Sequence, residues 1–221
     1  MPKHLCPKTY VQKQQMIDLA LIALFIPTFF LVSITPGMCM TLAMTLGMSI
    51  GVSRTLYMMV GELLGVGIVA LSAVLGASTI MLNYPMVFEV LKWLGALYLF
   101  WVGINMWQSK GKLAVSTEST VDSTDAKTLF SYGLVTALAN PKGWAFMLSL
   151  LPPFINTEKS LAPQLAVLIT IILCSEFICM MLYATGGKTI GKLLTTRENV
   201  KRLNQISGSL MILIAVWLLM M

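Results

Sequence analysis

Charge is what this chain has least of. Only 11% of its 221 residues are Asp, Glu, Lys or Arg, where a soluble domain carries about a quarter. Hydrophobic residues make up 57%, and the mean hydropathy is +0.82. So little polar surface cannot cover a core in water, which excludes a soluble enzyme or binding module and points to an integral membrane protein of one domain, 1–221. Histidine is nearly missing, with His4 alone in a polar tail. The four cysteines, Cys6, Cys39, Cys174 and Cys179, form no CxxC pair and read as small packing residues. No His/Cys/carboxylate cluster has metal-ligand spacing, so no metal and no cofactor is expected. Short alternating strands are also missing, which excludes a membrane barrel in favour of helices. The first apolar run lacks a small-x-small cleavage site and is too long for a signal peptide, so it reads as a retained span.

What is present is a series of apolar runs. After a polar tail, 1–15, the run from Met16 to about Ile50 exceeds the ~20 residues of one plain span and is interrupted by Thr35-Pro36-Gly37. Further spans are predicted over about 57–82, ending at Asn83-Tyr84-Pro85, then 87–107, 130–151, 161–184 and 206–221. A polar loop occupies 108–128, and a basic, glycine-punctuated connection fills 186–205. The net charge of +6 collects at the ends of the apolar runs, the distribution of residues facing cytoplasm and anionic headgroups and not of a nucleic-acid binder. Loops 1–2, 3–4 and 5–6 hold Arg54, Lys110, Lys112, Lys127, Lys188, Lys192, Arg197, Lys201 and Arg202; the other side holds Lys3, Lys8, Lys13, Lys92 and Lys159. The positive-inside rule places those loops in the cytoplasm and both termini outside, although the basic N-terminal tail pulls the other way.

The chain reads as duplicated. Thr35-Pro36 and Asn140-Pro141 interrupt the first and fourth spans, and Leu94-Gly95-Ala96-Leu97 in the third resembles Ser207-Gly208-Ser209-Leu210 in the sixth. Two units of three spans, about 16–107 and 129–221, must insert in opposite orientations. The expected fold is therefore all-α: six transmembrane helices as two inverted three-helix repeats, with helices 1 and 4 broken.

Each break carries chemistry. Pro36 frees the carbonyl of Val32 and Pro141 that of Ala137, because proline has no N–H and clashes four residues back. Thr35 and Asn140 are good N-cap residues, and a cap followed by proline signals a helix start. The restarted helices present N–H groups near residues 37–39 and 142–144, which favour an anion, while Gly37 and Gly143 allow close approach. The freed carbonyls suit an ammonium group. A zwitterionic amino acid matches both, so Thr35, Pro36, Gly37, Asn140, Pro141, Lys142 and Gly143 are the expected substrate site. Lys142 near the bilayer centre costs at least roughly 2.5 kcal/mol on insertion scales and calls for a substrate carboxylate, Glu62 or Glu176 as its counter-charge, unless it snorkels to an interface.

Glu62, in Gly61-Glu62-Leu63-Leu64-Gly65, and Glu176, flanked by Ser175 and Phe177, are the proton-coupling candidates. A carboxyl shielded from water can exchange protons at working pH. Glu62 also stands close enough to a span end to be solvated, and Glu176 could serve only as a structural partner. Gly61 with Gly65, and Gly47 with Gly51, are small-xxx-small pairs that suit close helix packing.

These residues together resemble the LysE/RhtB family of bacterial amino-acid exporters. The resemblance rests on Thr35-Pro36-Gly37, on Leu91-Lys92-Trp93-Leu94-Gly95-Ala96-Leu97-Tyr98-Leu99 with Gly103, and on Asn140-Pro141-Lys142 followed by Leu151-Pro152. It covers about 20–221 and implies efflux of an amino acid or close derivative across the bacterial inner membrane, driven by proton antiport. The family often continues Pro-Gly with a second proline and polar residues; Met38-Cys39-Met40 stand here, so the substrate stays open, as does self-association into a homo-oligomer. Two other readings remain: export of another small ion or metabolite, which Lys142 would serve equally, and a thiol–disulfide electron conduit, which would need a partner for Cys39 where Trp144 stands. A protein that keeps the fold for assembly or signalling is a further one.

Overall fold

A computed structural model describes residues 19–109, 125–156, 159–195 and 197–220. The N-terminal tail and most of the polar loop lie outside the described residues, as do Cys6, Lys110 and Lys112. Among the described residues every regular element is helical: α1 Leu19–Ile34, α2 Met38–Ser49, α3 Val52–Asn83, α4 Pro85–Gln108, α5 Ala126–Leu138, α6 Pro141–Leu150, a 3₁₀ turn Pro152–Phe154, α7 Leu161–Thr195 and α8 Arg197–Met220. Four of these are long and apolar enough to cross a membrane, and a fifth span results if α1 and α2, bent by 58° at their break, count as one. The predicted fourth span is α5 and α6, of 13 and 10 residues, either side of Ala139-Asn140; it is not among the spans that length and hydropathy identify.

Local chemistry sets the boundaries. Pro85 occupies the first turn of α4 and Tyr84 is its N-cap, so the chain turns at the predicted proline. The basic stretch 186–205 is not a loop. α7 runs through it to Thr195 and α8 begins at Arg197. At 1.5 Å per residue, the 35 residues of α7 span about 52 Å, well beyond a ~30 Å hydrocarbon core. Gly187 there is a packing contact and not a break: a Cβ on it would lie 2.7 Å from Met48 Cγ.

Close helix approaches hold the bundle. A methyl on Gly61 would strike the Phe130 carbonyl, and one on Gly133 the Met58 carbonyl, so α3 and α5 cross in backbone contact. Gly65 packs against Ala137, and Gly47 of α2 meets the Ala184 backbone of α7. Gly51 does not join that packing. It sits in the turn before α3 with φ +85° and open space around it, so its role is the left-handed backbone. Gly95 faces Ser149, whereas Gly208 faces the Gly103 carbonyl; the two similar tetrapeptides therefore pack against different partners. Two apolar clusters form the interior. One is aromatic, with Phe25, Phe29, Phe146 and Phe154; the other is rich in methionine, with Met40, Met44, Met58, Met59 and Met180. Trp93, Leu94 and Leu97 are exposed along α4, which suits a lipid-facing side.

Candidate functional site

The two breaks close their backbones in the same way and cap their restarts differently. The Thr35 N–H bonds the Val32 carbonyl at 3.2 Å, and the Asn140 N–H bonds the Ala137 carbonyl at 3.3 Å. Each is a tightened last turn that recovers the carbonyl its proline would have orphaned. The expectation that the two prolines leave these carbonyls without a partner is thus corrected. The next carbonyls along are occupied too: Ile34 by the Tyr183 hydroxyl at 3.0 Å, and Leu138 by the Trp144 indole N–H at 2.9 Å.

At the second break the predicted cap forms. The Asn140 side chain accepts from the Lys142 N–H at 3.1 Å, with Pro141 in the first turn of α6. At the first break it does not. α2 starts at Met38 with Gly37 as its N-cap and no side-chain cap bond. The Thr35 hydroxyl instead donates back to the Leu31 carbonyl at 2.9 Å, the local bond that competes with capping. Gly37 has φ −138°, ordinary extended backbone.

Lys142 ties the breaks together. Its Nζ donates to the Thr35 carbonyl at 3.3 Å and lies 5.8 Å from the centre of the Phe146 ring. The amide of Asn140 reaches Cys39 Sγ at 3.8 Å. The lysine does not snorkel; it turns inward to the first break. A Cβ on Gly37 would be 3.7 Å from Nζ, so the glycine leaves the lysine room and little more.

Around this bridge lie two cavities. The inner one, about 50 Å³, is lined by Ser33, Thr35, Gly37, Cys39, Glu62, Asn140, Lys142, Gly143 and Glu176 with apolar residues of both clusters. It has room for a few water molecules. The outer one, about 380 Å³, is lined by Pro36, Gly37, Asn140, Pro141 and Lys142 on one side and by Tyr98, Trp101, Asn105 and Asn204 on the other. Its size falls within the ~300–1,000 Å³ of small-molecule pockets. Gly37, Asn140 and Lys142 border both.

The carboxylates of the inner cavity differ. Glu176 accepts from the Ser33 hydroxyl at 2.8 Å. Glu62 is 1% exposed, and neither of its oxygens has a hydrogen-bond partner; it is buried and not solvated at a span end. Among the described residues, the ion pairs are Lys92–Glu89 and Arg202–Glu198, so neither carboxylate pairs directly with Lys142. All seven residues expected at the substrate site therefore gather at the two cavities, Pro36 and Pro141 at the outer one and Thr35 and Gly143 at the inner one. Glu62 and Glu176 stand behind the lysine. Sequence reasoning missed Ser33, Phe146 and the outer wall of Tyr98, Trp101, Asn105 and Asn204. Asn105 was findable, as a polar residue inside an apolar span. Among the described residues no group of His, Cys, Asp or Glu could hold a metal ion, and Cys39, Cys174 and Cys179 are free thiols.

The chain is similar to known membrane proteins over much of its length. The family model described as LysE type translocator matches residues 30–221. The homoserine/homoserine lactone efflux protein of Salmonella typhimurium is 29% identical over 194 residues, 88% of this chain and 93% of the relative. The leucine efflux protein of an Enterobacter strain is 26% identical over 160 residues, 69% and 72% of the two chains. An uncharacterized membrane protein of Vibrio cholerae is 29% identical over 136 residues, 62% and 65%. No solved structure matches significantly. With a match across most of its length, apolar helices and an inward-facing lysine at the helix breaks, the chain belongs to the LysE family of translocators, as a multi-pass protein of the bacterial membrane.

Proposed function

We propose that the protein exports an amino acid or a close derivative from the cytoplasm, in exchange for protons, with its substrate bound at the two helix breaks. The observation that carries this reading is the Lys142 bridge. A part-buried ammonium that hydrogen-bonds a neutral carbonyl at 3.3 Å and forms no direct ion pair among the described residues is a cation that a substrate carboxylate would complement. The outer cavity offers the volume, with Tyr98 and Trp101 for apolar or cationic parts of the ligand. Relatives named for homoserine and leucine efflux support amino-acid-sized cargo. In this reading Thr35, Pro36, Gly37, Asn140, Pro141, Lys142 and Gly143 hold the substrate, and Glu62 and Glu176 handle the protons.

The architecture is read with it as six spans in two inverted repeats, about 16–107 and 129–221, joined by the polar loop. Support comes from the two broken first helices, each closed by the same tightened turn, which meet at one site. Alternating access would then rock one repeat against the other about that site. Efflux of labelled amino acids from loaded proteoliposomes, with and without a pH gradient, tests the function. Gradient-dependent movement of at least one amino acid is the expected result; none moving in either condition overturns it.

A further inference from the structure

Among the described residues the Ser149 hydroxyl and the Glu62 carboxyl are the buried side-chain groups without a hydrogen-bond partner, and of the two only Glu62 can carry a charge. It projects from α3 at the crossing where Gly61 and Gly65 bring α5 into contact, so its backbone is fixed. Both its oxygens are buried without a hydrogen bond of good geometry, and the group beside them is the Cys39 thiol, a weak donor. An ionised carboxylate alone in a buried cavity costs several kcal/mol even after relaxation, so this side chain needs a proton or a cation. The Val32, Ile34, Thr35, Ala137 and Leu138 carbonyls at the breaks each have a donor, and Glu176 is bonded to Ser33. Glu62 faces the same cavity as Lys142, whose other flank borders the outer cavity.

Resting on the export reading above, we propose that Glu62 is a shared receptor: its carboxylate binds either a proton or the substrate's ammonium group, and the two exclude one another. With the ammonium on Glu62 and the carboxylate on Lys142, a zwitterion would span the partition between the cavities. On loading, the carboxyl of Glu62 releases its proton to the side the substrate came from, and the O–H bond is replaced by a charge-assisted N–H···O contact. On unloading, a proton from the opposite side takes the ammonium's place. An empty, ionised Glu62 is the costly state, so neither species leaves until the other arrives. That exclusion makes the exchange obligatory without a second conformational sensor. The titratable groups that line the cavity with Glu62 are the Cys39 thiol on α2, the Lys142 ammonium on α6 and the Glu176 carboxyl on α7. α1 contributes Ser33 and α5 Ala137, and neither titrates.

The test is counterflow in proteoliposomes of the full chain, with equal pH on both sides, using the labelled amino acid that moves in the efflux assay. Counterflow needs binding and translocation but no net proton movement. For the wild type, the apparent KM should fall about tenfold per unit rise in pH until Glu62 is fully ionised, then level off, because one proton competes. Glu62→Gln should lose that slope and bind at least about tenfold more weakly at the plateau, because a neutral amide replaces a charge-assisted partner. Glu62→Asp should restore the slope. The N-acetylated form of the same amino acid should compete poorly with the wild type. A second readout is proton release when the amino acid is added to unbuffered, detergent-purified protein: close to one per substrate for the wild type at the acidic end of the slope, none for Glu62→Gln. Unchanged counterflow affinity and slope in Glu62→Gln, or proton release that survives it, overturns the shared role. Failure of the wild type to move any amino acid would instead overturn the export reading.

Discussion

The two helix breaks, Thr35–Gly37 and Asn140–Gly143, start from similar sequences and end in different jobs. Both close the preceding helix with a tightened turn onto the carbonyl four residues before the proline. Beyond that they diverge. The second break is self-contained: Asn140 caps α6, Pro141 fits its first turn, and Trp144 returns to the Leu138 carbonyl. The first is held from outside, by the Tyr183 hydroxyl on Ile34 and the Lys142 ammonium on Thr35. It also bends the chain by 58° and starts α2 on an uncapped glycine. One break is thus built by local chemistry and the other by its neighbours. A locally built break can keep its shape while the helices around it move. An externally held one changes when its holders let go, which gives the first break the character of a hinge and the second that of an anchor.

Substitutions break or sharpen this contrast to different degrees. The largest effect is expected from Lys142→Ala. It removes the counter-charge for a substrate carboxylate and the bridge to Thr35 together, so efflux should fall to background while the protein still inserts and purifies as a folded membrane protein. Normal efflux by this variant would remove Lys142 from the substrate site. Next comes Asn140→Ala, which strips the anchor of its cap and should cost about 1 kcal/mol, read as a lowered thermal midpoint in detergent. The stability loss should exceed that of any single change at Thr35, because the first break has no side-chain cap to lose.

Gly37→Ala is smaller and of opposite sign for stability. The backbone at Gly37 is extended and an added methyl meets Lys142 at ordinary contact distance. Stability should hold or rise slightly, by about 0.5 kcal/mol, while transport slows because the hinge is stiffer. A fall in midpoint would mean that the first break resists side chains for a reason other than contact with Lys142. Thr35→Val should do least. The hydroxyl serves the Leu31 carbonyl of its own helix, whereas Lys142 uses the Thr35 backbone carbonyl, which valine keeps. Initial efflux rates within about twofold of wild type are expected, since a back-bonding hydroxyl contributes little to a helix. A strong transport defect would show that the hydroxyl itself meets the substrate.

Much of this site was legible before any coordinates. The prolines announce both breaks because they lack an N–H, and Asn140 announces its cap because an amide oxygen two residues before an N–H has few better partners. Thr35 misled for the same local reason run backwards: its hydroxyl had a carbonyl four residues earlier within reach, and α1 was already there to supply it. The glycine-punctuated stretch near Gly187 read as a connection because glycine weakens an isolated helix. In the bundle the missing side chain admits Met48 and the helix continues.

By itself, then, the sequence determined the membrane class, the helical content, the position of both breaks and the set of polar residues that the apolar runs cannot ignore, because each follows from composition or from chemistry within a few residues. Only the tertiary structure decided who meets whom: that Lys142 reaches a carbonyl 107 positions away, that Ser33 takes Glu176 and leaves Glu62 alone, and that two cavities of unequal size share one wall. Those outcomes depend on how closely α3 and α5 cross and how far α1 bends. Such distances are fixed by packing between segments remote in the chain, to which local propensity contributes nothing.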